Sequence, residues 1–358
     1  MNSKVTVFTP VYNGISFLKE TIESTLNQTY EDFEYLIIDD CSTDDSASLI
    51  KSYNDSRINF VQNKKNIGVA KTFNKALSII NSKYVVRIDQ DDVNFPNRVE
   101  SQINFLELNE HIDITCTWEQ SIDHDGNKIR NWKRKISNYG EFLGPVLLGI
   151  CPIWHPSIAF KKQSMIDAGG FDPLYTRAED FEVTARMAIK RLNAAIVPEF
   201  LVFQREHNRR QSIEYNSIQE EVKNKIHLES LNYFLNDDLM EDFASYIRIE
   251  KNLKKTPNKN HLIQYSKLLH RLIDQVSKKQ NLSSVEKQSL INTFSKRLGY
   301  GIILCHRFSF LPKLVFHLIF KILSPLLNPY FRSKISFAYN HIKSFRLFKK
   351  KLTGASNK

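Results

Sequence analysis

The chain has 358 residues, 42% hydrophobic and 25% charged, enough for one large domain and a smaller appendage. This composition excludes a disordered, collagen-like or disulfide-stapled chain. The four cysteines, Cys41, Cys116, Cys151 and Cys305, lie far apart without a CxxC pair, as expected of reduced thiols rather than zinc ligands or bridges. The formal net charge of +11 is unevenly placed: from Lys287 onward there are 14 Lys and Arg and no Asp or Glu, which leaves 36 basic against 39 acidic residues elsewhere. A one-signed tail calls for a polyanion, either a membrane face or nucleic acid.

The opening residues, MNSKVTVFTPVYNG, lack the apolar core of a signal peptide, so the expected location is cytoplasmic. Residues 4–9 are short, apolar and β-branched, as a core strand should be. Residues 16–28 carry Phe17, Leu18, Ile22 and Leu26 at helical spacing. A second strand follows at 33–39, a helix at 45–53, a third strand at 58–62, a helix at 69–80 and a fourth strand at 84–89. Strands alternating with helices predict an α/β fold, a mostly parallel sheet with helices on both faces. Ligands of such sheets bind at the carboxyl ends of the strands. The polar clusters at 10–13, 39–44 and 89–92 all fall there. Beyond about residue 215 the pattern turns polar and helical. The expected division is a catalytic domain over 1–215, a helical appendage over 216–295 and a basic amphipathic tail over 296–358.

Three carboxylates crowd into Asp89-Gln90-Asp91-Asp92 directly after the strand YVVRI. Like charges this close repel, and a bound divalent cation relieves them; a solvated acidic turn is the plainer alternative. A second cluster is Asp39-Asp40-Cys41-Ser42-Thr43-Asp44-Asp45. Capping of the next helix accounts for Ser42 or Asp44. It leaves Asp39 and Asp40, placed at a strand end, able to accept the N–H of a base or bond a ribose hydroxyl.

The series Thr9-Pro10-Val11-Tyr12-Asn13, IIDDCSTDDS, Asn66-Ile67-Gly68 and RIDQDD resembles the inverting family 2 glycosyltransferases of the GT-A fold, in order and spacing over roughly residues 1–210. The resemblance implies that Pro10 and Tyr12 flank the nucleobase and that Asp40 pairs with its imide. It implies that Asp89 lies near the ribose and that Asp91, the second acid of a D-x-D motif, reaches Mn2+ or Mg2+ on the diphosphate. Three later elements fit it. His155-Pro156-Ser157 precedes an apolar strand on the acceptor side, and Gly169-Gly170-Phe171-Asp172 resembles the family's glycine turn. Arg177-Ala178-Glu179-Asp180 opens a helix in which the family places its base. We assign the base to Asp180, with Glu179 as the alternative; without the upstream motifs, both would read as favourable charge on a helix N-terminus. Arg205-Glu206-His207 resembles the late Arg-x-His element, making His207 either a metal neighbour or a structural histidine. Arg209 and Arg210 add positive charge after it.

The implied partners are a nucleotide-sugar donor, with uridine the expected base, and a saccharide acceptor linked to a lipid diphosphate, as in O-antigen or capsule assembly. The competing class is a basic membrane- or nucleic-acid-binding module whose acidic clusters are only structural. The chain shows no GxxxxGK[ST] loop, GxGxxG or GxSxG motif. In the tail, Leu311–Ser324 sits between Pro312 and Pro325, with Lys313, His317 and Lys321 forming one polar stripe. About 14 residues at ~1.5 Å each fall short of a ~30 Å hydrocarbon core, so a helix lying on an anionic membrane surface is expected, with a helix packed on the sheet domain as the alternative; a lipid-linked acceptor calls for a membrane rather than nucleic acid.

Overall fold

The computed structural model describes residues 3–207, 216–242 and 259–294. The tail from residue 296, with its expected interfacial helix and basic cluster, and Arg209 and Arg210 lie outside the described residues. Among the described residues no helix is long and apolar enough to cross a membrane.

The first half alternates strand and helix. It runs β1 (Val5–Val11), α1 (Ile15–Leu26), β2 (Phe33–Asp39), α2 (Ser46–Lys51), β3 (Ile58–Gln62), α3 (Val69–Ile79) and β4 (Tyr84–Arg87). Each element lies within two residues of its predicted bounds. β4 stops at Arg87, two residues early, where its carbonyl oxygen accepts from the Arg98 guanidinium at 2.5 Å. β5 (Val93–Asn94), α4 (Arg98–Leu108), β6 (Ile114–Ile122), β7 (Lys128–Trp132) and α5 (Tyr139–Leu147) follow. A 3-10 turn (His155–Ser157), β8 (Ala159–Lys161), α6 (Lys162–Ala168), α7 (Glu179–Ile189) and β9 (Ala194–Arg205) complete the sheet domain.

The strands form one sheet in the order β3-β2-β1-β4-β8-β6-β9-β5, with β7 hydrogen-bonded to β6. β3, β2, β1 and β4 run parallel, and β6 runs parallel to β9. β8 joins the two halves antiparallel to both β4 and β6. The chain lays β2 and β3 on one side of β1, then crosses to place β4 on the other. That reversal is the topological switch point, and the ends of β1 and β4 open onto it.

Strands buried on both faces read as continuous apolar runs, which is why β1, β2 and β4 were legible. On one face Val5, Val7 and Val11 pack with Leu18 and Ile22 of α1 and with Val99, Ile103 and Leu106 of α4. On the other face, Phe8 meets Phe73 of α3 at 5.5 Å between ring centres, and Phe73 meets Phe171 at 4.2 Å. Helices therefore cover both faces, as the GT-A arrangement requires.

The described residues form two compact units that divide between Tyr233 and Phe234. The first ends in a helix over Asn216–Phe234, on which His227 bonds the carbonyl of Leu147 at 3.0 Å. The second is helical over 237–242, Lys259–Lys279 and 284–294, around Leu239, Leu272, Val276 and Leu290.

Candidate active site

The loop after β1 is held by its neighbours rather than by its own side chains. Gln90 accepts from the Tyr12 backbone N–H at 2.8 Å and donates to the Tyr12 carbonyl at 3.1 Å. The middle residue of D-x-D thus clamps the β1 loop to the β4 loop. Gly14 makes this approach possible: a Cβ there would meet Gln90 Oε1 at 2.5 Å. Asn13, in the left-handed region at φ 51°, accepts from Thr43 N–H at 2.8 Å and donates its own N–H to Ser42 Oγ at 2.9 Å. Gly14 and Ile15 N–H bond Ser46 Oγ and Asp44 Oδ2 at 3.0 and 3.1 Å. Asp44 and Ser46 therefore cap α1 from the neighbouring segment, while Asp44 Oδ1 also accepts from the Ser46 N–H at the start of α2 at 3.0 Å. Tyr12 stays 44% exposed, free to lie against a planar ligand, and Pro10 sits beside it on β1 opposite Ile38.

Asp40 is buried, and its carboxylate organises the Asn66-Ile67-Gly68 turn. Oδ1 accepts from Asn63 Nδ2 at 2.7 Å and from Ile67 N–H at 2.9 Å, while Oδ2 accepts from Gly68 N–H at 2.8 Å. The two separate motifs of the sequence are thus one structure. Asp39 is buried as well and accepts from Gln62 Nε2 at 2.9 Å.

The D-x-D loop meets the end of β9. Asp91 Oδ2 and His207 Nε2 are 2.8 Å apart, and the His207 ring lies 5.0 Å from the Phe17 ring. The side chain that brings them together is Arg205, 1% exposed. Its backbone N–H bonds Asp92 Oδ1 at 2.9 Å. Its guanidinium donates to the Asp91 carbonyl at 3.2 Å, the His124 carbonyl at 2.9 Å and Glu20 Oε2 at 2.6 Å. Sequence reasoning placed His207 near the metal but left Arg205 without this role.

A carboxylate oxygen and an imidazole nitrogen at hydrogen-bond separation form a donor pair that suits Mn2+, and the oxygen alone suits Mg2+. Among the described residues no cluster of three or more His, Cys, Asp or Glu forms a metal cage. Such a pair leaves the other positions of a hard cation to water and phosphate oxygens.

A chain of contacts runs from the D-x-D loop to the helix that carries the acid pair. Arg87 Nε donates to Asp89 Oδ1 at 2.9 Å, and its Nη1 donates to His155 Nδ1 at 3.4 Å. An arginine only donates, so His155 accepts at Nδ1 and carries its proton on Nε2. Nε2 then faces Thr184 Oγ1 at 3.3 Å, and Thr184 donates to the Asp180 carbonyl at 2.7 Å. Burial first, and the Arg87 charge second, push the His155 pKa down to about 3, so the ring is neutral. Arg87 and His155 are 68 residues apart, and no spacing rule in the sequence pairs them.

Glu179 and Asp180 open α7 behind Ala178, which is in the left-handed region at φ 55°. Burial, and next the charge of Asp180, push the Glu179 carboxyl up to about 7. The fold therefore favours neutral Glu179. The stability this brings is complete below the ordinary value of 4.5 and is lost as pH rises through about 7. Glu179→Gln should accordingly stabilise the protein at pH 8 by about 1–2 kcal/mol, after discounting for partial exposure. The gain should vanish near pH 4.5, the ordinary carboxyl value. Chemical denaturation at the two pH values checks this; an equal difference at both would mean that Glu179 titrates normally.

Residues 6–167 match the family described as Glycosyl transferase family 2. The chain is 32% identical over 209 residues to an uncharacterized glycosyltransferase of Methanocaldococcus jannaschii, covering 57% of this chain and 71% of that one. It is 30% identical over 248 residues to an uncharacterized glycosyltransferase of Haemophilus influenzae, covering 65% and 74%. In fold it is similar to S. aureus TarS 1-349 in complex with UDP-GlcNAc, with a TM-score of 0.54 at 18% identity over 96% of this chain and 92% of that one. Motif order, sheet topology and relatives agree that the chain belongs to glycosyltransferase family 2 and is a nucleotide-sugar-dependent transferase.

Proposed function

We propose that the enzyme moves a hexose from a UDP-sugar, with inversion, onto a hydroxyl of a lipid-diphosphate-linked saccharide in surface-polysaccharide assembly. The observation that carries this reading is the meeting of Asp91 and His207 at 2.8 Å beside the switch point of the sheet. TarS, whose crystal structures hold UDP and UDP-GlcNAc, supports the choice of base.

In this reading the base lies against Pro10 and exposed Tyr12. Asp40 takes its imide N–H on the remaining lone pairs of Oδ2, a carboxylate having about four acceptor sites in all. Asp89, oriented by Arg87, takes a ribose hydroxyl. Asp91 and His207 would hold Mn2+, or Asp91 alone Mg2+. The cation would supply Lewis-acid stabilisation to the charge that develops on the leaving diphosphate. On the other side Asp180 accepts the proton of the acceptor hydroxyl, which attacks the anomeric carbon opposite the leaving group. Glu179, neutral below about pH 7, then places no competing negative charge beside Asp180. Three parts divide this work: the catalytic domain, the helical appendage and the basic tail. The tail, with Lys343, Arg346, Lys349, Lys350 and Lys351 beside Phe345, Leu347 and Phe348, would rest on an anionic membrane surface at the cytoplasmic side.

Asp91→Ala should abolish metal-dependent nucleotide release from a UDP-sugar while leaving the thermal midpoint equal or higher, because like-charge repulsion falls. Full activity of the wild type after chelation would remove the metal from the reading. Asp180→Asn should lose roughly 10²–10⁴-fold in transfer and keep donor affinity, since an amide has the shape but not the basicity. If Asp180→Asn stays active and Glu179→Gln does not, the base is Glu179. Replacing the five basic residues at 343, 346, 349, 350 and 351 by Gln should abolish flotation with anionic liposomes. Flotation that is unchanged, or independent of anionic lipid, would exclude a membrane role for the cluster.

A further inference from the structure

Residues 128–135 read KIRNWKRK, with five basic residues, one tryptophan and no acid. They form β7 and its continuation, and every residue of the strand is exposed. Alternation along a strand puts Arg130, Trp132 and Arg134 on one face and Lys133 on the other. The contacts agree. Lys133 Nζ lies over Trp118, 4.4 Å from the ring centre, on the outer side. On the inner side, Arg130 lies over Trp132 at 4.6 Å and Arg134 over Trp154 at 4.2 Å. The two indoles meet edge to face, with centres 6.2 Å apart.

The ends of this inner face are tied to the two ends of the active site. Arg130 donates to Glu206 Oε1 at 2.7 Å, and Glu206 directly precedes His207. Arg134 donates to the carbonyl of Cys151, whose Sγ lies 3.6 Å from Thr184 Oγ1, the hydroxyl that holds the Asp180 carbonyl. Trp154 directly precedes His155. The Arg130–Trp132–Trp154–Arg134 face therefore runs from beside the Asp91–His207 pair to beside the Glu179–Asp180 pair.

Indole rings offer flat apolar surface of the size of a pyranose face, and the Trp132 N–H is already used, donating to Ser121 Oγ at 2.8 Å. Guanidinium groups present forked donors matched to phosphate oxygens. Glu206 is ion-paired with Arg130, while Arg134 donates to a neutral carbonyl, so the Arg134 end of this face carries positive charge. A neutral sugar would make no use of that charge.

We infer that this face is the acceptor subsite and that it takes a saccharide with a phosphate group close to the accepting sugar. The sugar stacks on Trp132 and Trp154, and the phosphate is gripped by Arg134 with Arg130. The inference rests on the transferase reading and adds to it the residues that would bind the acceptor. A lipid diphosphate and a phosphodiester-linked chain both supply that chemistry.

The test uses the full-length protein with Trp118→Phe, so that the remaining two of its three tryptophans, Trp132 and Trp154, alone report by fluorescence. The UDP-loaded protein is titrated with farnesyl diphospho-N-acetylglucosamine, with a phosphodiester-linked N-acetylglucosamine disaccharide and with neutral chitobiose. At least one phosphate probe should give a saturable change at concentrations where chitobiose gives none, and the tighter one identifies the source of the phosphate. Arg134→Gln and Trp132→Leu should each weaken that binding at least about tenfold while UDP affinity is kept; Lys133→Gln, on the opposite face, should leave it unchanged. UDP affinity also verifies folding of each variant. Chitobiose binding as tightly as the phosphate probes, no response to any probe, or equal losses for Lys133→Gln and Arg134→Gln would overturn the subsite. Failure of the wild type to bind UDP would instead overturn the proposed donor.

Discussion

One buried cation organises this active site. Arg205 is 1% exposed, yet its guanidinium is satisfied by the carbonyls of Asp91, Asp123 and His124 and by Glu20, and its ring-side contact is Phe17 at 4.7 Å. Burying an unpaired charge costs several kcal/mol, so a residue in this position can exist only if every segment around it is in register. Here those segments are α1, the D-x-D loop, the β6–β7 turn and the end of β9. The backbone N–H of the same residue fixes Asp92. His207, two residues on, arrives at Asp91 as a consequence.

A second line of polar contacts does for the Glu179–Asp180 pair what Arg205 does for the Asp91–His207 pair. Asp89, Arg87, His155 and Thr184 connect the D-x-D loop to the first turn of α7. The neutral state of His155 is essential to its place in this line, because a protonated ring could not accept from Arg87. The residues proposed for the leaving-group and acceptor sides are thus joined by hydrogen-bonded side chains carried on packed elements.

The parallel half of the fold and the order of its motifs were legible because buried parallel strands write continuous apolar runs and their carboxylates follow directly. Of the strands of the second half only β8, after His155-Pro156-Ser157, was anticipated. β5 has two residues, β7 is wholly exposed, and β9 shifts register against β6, so none carries a clean period. Asp40 and the Asn66-Ile67-Gly68 turn read as separate motifs, and only the fold shows the carboxylate holding the turn. Gln90 escaped notice as the variable middle of D-x-D, although its amide joins two loops. The basic and aromatic alternation at 130–134 was visible in the sequence; the net negative balance of the surrounding chain masked it, and two guanidinium–indole pairs gave it meaning.

The Gln90 clamp links two positions 76 residues apart in a way that bears on how such chains diverge. The amide fits because residue 14 has no Cβ, and the atom a methyl would strike is the far end of a flexible side chain. Adding the methyl would therefore push the amide off Tyr12 without breaking the fold. Positions 14 and 90 are then expected to covary among homologues. A side chain at 14 should accompany a short residue at 90, with the β1 loop secured by some other donor. In a lineage that lost the glycine first, selection would act on nucleotide affinity, not on folding.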